Sequence, residues 1–166
     1  FALMGWVAGT NGPGVLLPLG KVILVVYAGC FIHAAVVYGG FIALLARVNP
    51  IRFFRGVTDA QLVAFSTASS GGTLPVNLRC ARNNLGVSEG IAGFVLPLGA
   101  TLNMDGTAIY QGVAALFVAQ VYGIELTFSH YLTIVISATL ASIGTAGVPG
   151  AGMIMLSLVL GSAGLP

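Results

Sequence analysis

Apolar residues run from Val15 to Arg47 with Lys21 as the one charge on the way, the longest such run in the chain. A run of that length predicts a helix able to cross a bilayer with some tilt. Asn49-Pro50 stops it and starts another helix, Asn as a cap and Pro in the first turn. Downstream the apolar stretches are shorter. Ile51 to Phe65 is about 15 residues, roughly 22 Å as helix against a hydrocarbon core of ~30 Å. It gives way to Ser66-Thr67-Ala68-Ser69-Ser70-Gly71-Gly72-Thr73, and Leu74-Pro75 opens a second short arm to Asn84. The same order returns later: Leu126 to Ala141, a tip from Ser142 to Gly152, and a return arm from Met153 to Leu160. Half-length arms around a Ser/Thr/Gly tip predict a re-entrant helical hairpin in each place. Such tips are tolerated at membrane depth where protein buries them or a cavity lies beside them.

Between the two lies a helix, Gly90 to Thr101 and Ala108 to Tyr122, interrupted at Asn103-Met104-Asp105-Gly106-Thr107. A carboxylate at that depth costs about 2.5–3.5 kcal/mol on insertion scales. Gly106 weakens the helix there, and Asn103 and Thr107 offer hydrogen bonds to backbone freed by a break. An acid on a broken helix in a membrane points to a cation site. The competing reading is an Asp neutralised by burial or paired with a cation elsewhere. His33, inside the long run, reads as a neutral, hydrogen-bonded core histidine, because no second His and no acid lies near it in sequence.

Composition fixes the class. The chain is 57% hydrophobic and 6% charged, with a mean hydropathy of +1.02, whereas soluble domains carry about 25% charged residues. It is expected to be an all-α, multi-pass integral protein of the cell (plasma or inner) membrane. The net charge of +2 rests on scattered arginines, too sparse for nucleic acid. Cys30 and Cys80 lack metal-ligand spacing and read as small buried hydrophobes.

The divisions expected are 1–14 (end of a helix, with Trp6 at an interface, and a loop), 15–48 (transmembrane helix), 49–85 (first hairpin), 86–123 (broken helix) and 124–166 (second hairpin). Paired interrupted segments suggest inverted repeats around a central site. Arg47, Arg52 and Arg55 flank one connection, and the Gly123 to His130 connection carries Glu125 alone. The positive-inside rule then brings the first hairpin in from the cytoplasm and the second from outside. The chain opens Phe1-Ala2-Leu3-Met4 and ends Gly164-Leu165-Pro166. It reads as a fragment cut at both ends, with no signal peptide at its start.

Four stretches carry a resemblance: Ser69 to Pro75, Leu96 to Thr101, Asn103 to Thr107, and Gly144 to Gly152. In this order they closely resemble the sodium:dicarboxylate symporter family, the glutamate/aspartate transporters, over essentially the whole chain. The resemblance implies a transport-domain portion without the first helices and the eighth transmembrane helix, a homotrimer in the full-length protein, and no cofactor beyond sodium as coupling ion. It implies sodium ligands at Asn103 and Asp105 with the Gly99 and Asn103 carbonyls, and a further site at Thr101 completed by carbonyls of Ser142, Ile143 and Thr145. Contacts to the amino-acid substrate fall at Ser69, Ser70, Thr107, Gly147 and Val148. Sodium takes oxygen ligands, and helix N-termini favour substrate carboxylates. Two departures bear on the substrate: Ala68 stands where several members carry Arg, and Gly71 replaces a common serine. The implied function is sodium-coupled symport of acidic amino acids by alternating access, with the second hairpin as outer lid. Neutral amino acids or C4-dicarboxylates are the alternatives within the family.

Other classes fit poorly. A serine protease of the membrane needs Gly-x-Ser-Gly and a partner His, but Ser70 is preceded by Ala68-Ser69. An aspartyl protease needs two facing acids, and Asp105 is the one acid at membrane depth. The Gly-rich second tip has no following Gly-Lys-Ser/Thr to hold phosphate. A channel would share re-entrant loops; flux against a gradient separates it from a transporter.

Overall fold

The computed structural model describes residues 16–166 together with Gly9 and Gly14. The helix end expected over Phe1 to Val7, Trp6, and most of the Thr10 to Gly14 loop lie outside the described residues. Every regular element among the described residues is helical.

The long apolar run forms helix α1, built as an α-helix at Leu16–Ile32, a π-helical turn at His33–Tyr38 and a closing α-helix at Gly39–Leu44. Its stretch Leu17–Leu44 is the one described helix long and apolar enough to cross a membrane, and almost none of it is buried. A core helix of a water-soluble protein would be covered. Asn49 then caps the next helix, its side chain accepting from the Ile51 N–H at 2.9 Å with Pro50 in the first turn.

The first arm is two helices rather than one: α2 (Pro50–Gly56) and α3 (Thr58–Thr67), broken at Val57. Asn84 Nδ2 donates to the Gly56 carbonyl at 2.7 Å, and Thr58 Oγ1 bonds back to the Phe54 and Arg55 carbonyls. Side chains thus take the carbonyls that a continuous helix would use. The tip is also narrower than its composition suggests. Only Ala68 and Ser69 are non-helical, and α4 (Ser70–Asn83) takes in Gly71, Gly72 and Thr73. Ser69 is the reason: as N-cap its hydroxyl accepts from the Gly72 N–H at 3.0 Å and starts the helix at once.

Helix α5 (Glu89–Leu102) and helix α6 (Asp105–Val121) are separated by Asn103 and Met104 alone, so Asp105, Gly106 and Thr107 already belong to α6. The second pair is α7 (Phe128–Ile143) and α8 (Ala151–Ser162), joined by a seven-residue tip from Gly144 to Gly150. The arms α3 and α4 pack on each other, as do α7 and α8; α4 continues onto α5, α6 takes both α7 and α8, and α1 leans on α6.

The core sits where α6, α7 and α8 meet, and it is made mostly of small residues: Ala115, Ala119, Ala138 and Ala141 around Val159 and Ile134. Small side chains let helices approach closely when no hydrophobic drive separates inside from outside. The large apolar groups point outward instead, with Leu24, Phe31, Phe65, Phe94 and Phe128 all exposed. That reversal suits a lipid surrounding and would be a liability in water.

Candidate functional site

Both tips and the start of α6 converge. The Gly147 carbonyl accepts two hydrogen bonds from the first tip, from Ser69 Oγ at 2.8 Å and from the Gly71 N–H at 3.0 Å. The approach depends on glycine: a Cβ on Gly147 would stand 3.1 Å from the Gly71 nitrogen and 3.5 Å from the Ala100 carbonyl oxygen. Beside this contact lies a cavity of about 150 Å³. Ser70 borders it from the first tip, Met104 and Thr107 from the helix break, and Thr145, Gly147 and Val148 from the second tip. Three helix N-termini (α4 at Ser70, α6 at Asp105, α8 at Ala151) open towards it. Helix dipoles there favour a carboxylate, although the Gly71, Gly72, Thr107 and Ala151 N–H groups already have partners.

A second cavity of about 380 Å³ lies across the first tip, bordered by Ser69, Ser70, Thr73, Asn77, Gly99 and Asn103. The expected substrate contacts therefore divide: Ser70, Thr107, Gly147 and Val148 border the small cavity, and Ser69 turns its hydroxyl to Gly147 from the larger one. Of the expected ion ligands, Gly99 and Asn103 lie on the larger cavity and Thr145 on the smaller. Thr101, Ser142 and Ile143 border neither. Thr101 is exposed with its hydroxyl on the Leu98 carbonyl, Ser142 is buried with its hydroxyl on the Thr139 carbonyl, and Ile143 is exposed.

Helix α5 ends because Asn103 and Met104 leave helical geometry, at φ −112° and −109° with ψ 70° and 55°. The last carbonyls of α5 are then free of N–H partners further along the helix. The Gly99 carbonyl still accepts from the Asn103 N–H at 2.9 Å, and Met104 accepts from Thr107 and Ala108.

Asp105 faces neither cavity. Its Oδ2 accepts from the Tyr38 hydroxyl at 2.5 Å and lies 3.1 Å from His33 Nε2, and the two rings stack edge to face at 4.9 Å. A carboxylate can only accept, so both partners donate. His33 is hydrogen-bonded as the sequence suggested, to an acid 72 residues away. Tyr38 was not singled out by sequence; an acid needing partners in a membrane segment was the available signal. No three of His, Cys, Asp and Glu gather among the described residues.

Comparison with known proteins agrees with the residue pattern. The profile described as Sodium:dicarboxylate symporter family matches residues 1–166. Excitatory amino acid transporter 2 of Mus musculus is 45% identical over 148 residues, covering 89% of this chain and 26% of that protein. The putative sodium-dependent excitatory amino acid transporter glt-4 of Caenorhabditis elegans is 44% identical over 168 residues, covering 100% and 34%. Excitatory amino acid transporter 1 of Homo sapiens is 48% identical over 141 residues, covering 85% and 26%. The chain spans about a quarter to a third of the length of these relatives.

Proposed function

Because the chain belongs to the sodium:dicarboxylate symporter family, we propose that it serves sodium-coupled secondary transport of acidic amino acids such as glutamate or aspartate. The observation that carries this reading is the small cavity closed by both tips over the start of α6, with three helix N-termini around it. An amino acid is placed there with its carboxylate towards the helix N-termini, touching Ser70, Thr107, Gly147 and Val148, while Ser69 acts from the larger cavity through its bond to Gly147. Sodium is assigned to oxygens at Gly99, Asn103 and Asp105, and to a second position at Thr101, Ser142, Ile143 and Thr145. The unwound backbone between α5 and α6 supports the first assignment, since broken helices free carbonyls for coupling ions.

The two helical pairs are read as re-entrant hairpins entering from opposite faces, as an inverted repeat requires, with divisions at 1–14, 15–48, 49–85, 86–123 and 124–166. The supporting facts are their half-length arms and the arginines on one side. Alternating access follows: substrate and sodium enter, the second tip closes on the first, and the loaded unit is carried across. The exposed apolar faces meet lipid or the neighbouring subunits of a homotrimer.

Asp105→Asn tests the reading. In the full-length protein in liposomes, the substitution should weaken sodium affinity at least about tenfold, near 1.4 kcal/mol. Apparent aspartate affinity should fall at fixed sodium and recover partly as sodium is raised, because the linkage is reciprocal. Glu125→Gln, on the α6–α7 connection, should change neither. Unchanged sodium dependence in Asp105→Asn would make Asp105 a structural acid and defeat the assignment. One observation favours a neutral amino acid instead: among the described residues no basic side chain borders the small cavity, with Ala68 at its edge. Competition of aspartate uptake by serine and alanine separates the two substrates.

A further inference from the structure

The π-helical turn His33–Tyr38 interrupts the one long helix where that helix meets the acid of the broken one. Single π turns cost hydrogen-bond regularity and recur at functional sites. Here the turn sets two residues five apart, which a regular α-helix would hold about 140° apart around its axis, onto the same carboxylate oxygen. Both donors fall on Oδ2, and none of the described residues donates to Oδ1. Asp105 is part-buried, with 31% of its side chain exposed, so its free oxygen is not sealed off.

We infer that His33 and Tyr38 are positioning residues for cation binding: together they hold Oδ2 of Asp105 and fix the carboxylate plane so that Oδ1 is presented to sodium. This rests on the assignment of Asp105 as a sodium ligand. Carboxylates that ligate metals are themselves hydrogen-bonded, and that outer partner sets ligand orientation. Two hydrogen-bond donors also make the charge easier to hold at membrane depth.

The test measures aspartate uptake against sodium concentration, at one fixed pH, in the full-length protein in liposomes. Tyr38→Phe keeps the ring and its packing on His33 and removes the donor. The expected result is a rise of roughly tenfold in the half-saturating sodium concentration, with maximal uptake at saturating sodium within about twofold of the parent. Combined with Asp105→Asn, it should add nothing further, since both act on one interaction. His33→Gln, which retains an N–H donor, should hold its sodium affinity better than His33→Leu, so the pair still decides the matter if Tyr38→Phe fails to fold. Unchanged sodium dependence in Tyr38→Phe, a loss additive with Asp105→Asn, or equal losses in His33→Gln and His33→Leu would each overturn the inference. If Asp105→Asn shifts sodium dependence and Tyr38→Phe does not, positioning fails while the transport reading stands. If the parent protein shows no sodium-dependent uptake, both fall.

Discussion

The two tips have nearly the same grammar in sequence and opposite construction. The first is two residues long: Ala68 in the left-handed region at φ 49° and Ser69 as a side-chain cap, with Thr73 Oγ1 donating to the Ser69 carbonyl at 2.7 Å. The second is seven residues long, and α8 starts at Gly150, φ 82°, with no side-chain cap. Within it the backbone bonds are local turns, Val148 N–H to Ala146 and Ala151 N–H to Val148. The arms behind them contrast the other way, for the core packs around α7 and α8, not α3. A firmly packed base with a loosely tied tip can move at the tip alone. A tightly capped tip has less freedom to do so, and this contrast supports the proposed role of the second tip as the lid.

The contact between the tips is where that contrast is most easily broken. Gly147→Ala places a Cβ 3.1 Å from a backbone nitrogen, and neither neighbour is a flexible side-chain end. Overpacking of that kind costs about 1–3 kcal/mol, so aspartate affinity should fall about tenfold or more in equilibrium binding. Because the second tip is the one free to yield, cysteine labelling at Val148 should rise in the same variant. Unchanged affinity and labelling would mean that the closed contact is not what retains substrate.

Ser69→Ala should have a smaller effect. It loses a cap, about 1 kcal/mol, and one of two bonds to the Gly147 carbonyl, about 1 kcal/mol more. Ser69→Gly loses the same bond but only a few tenths of a kcal/mol at the cap. Thermal melting should thus separate the two variants while aspartate affinity falls by a similar few-fold factor in both. If affinity tracks melting instead, the capping matters and the tip-to-tip bond does not. The smallest effect belongs to Ala68→Gly, which relieves a left-handed alanine. Melting should rise by under about 1 kcal/mol equivalent with uptake unchanged.

Local features of this architecture were readable in the chain. The long helix followed from an apolar run, the Asn49-Pro50 start from a cap and a proline, and the helix break from Asn103 near one acid, whereas Gly106, expected to weaken the helix, lies inside α6. What escaped was decided at a distance. The split at Val57 needs Asn84, 28 residues on, to claim the Gly56 carbonyl. The width of the first tip turned on which of two adjacent serines caps, and composition does not distinguish Ser69 from Ser70. The π turn leaves no pattern in HAAVVY, and the Tyr38 bond to Asp105 crosses 67 residues. Within the candidate site, the motif residues of both tips do come together, whereas the sharing of them between two cavities depends on how α4 stands against α5.

Thr101, Ser142 and Thr145 share one habit: each hands its hydroxyl hydrogen to a carbonyl three or four residues back, at 2.9, 2.8 and 2.7 Å. Such back-bonding usually counts as a mild helix defect. Its consequence here is polarity. A hydroxyl whose hydrogen is committed inward has only lone pairs left to offer. Under the proposed second sodium position, these three hydroxyls would offer an ion oxygen without hydrogen, which suits a cation and gives a chloride nothing to hold.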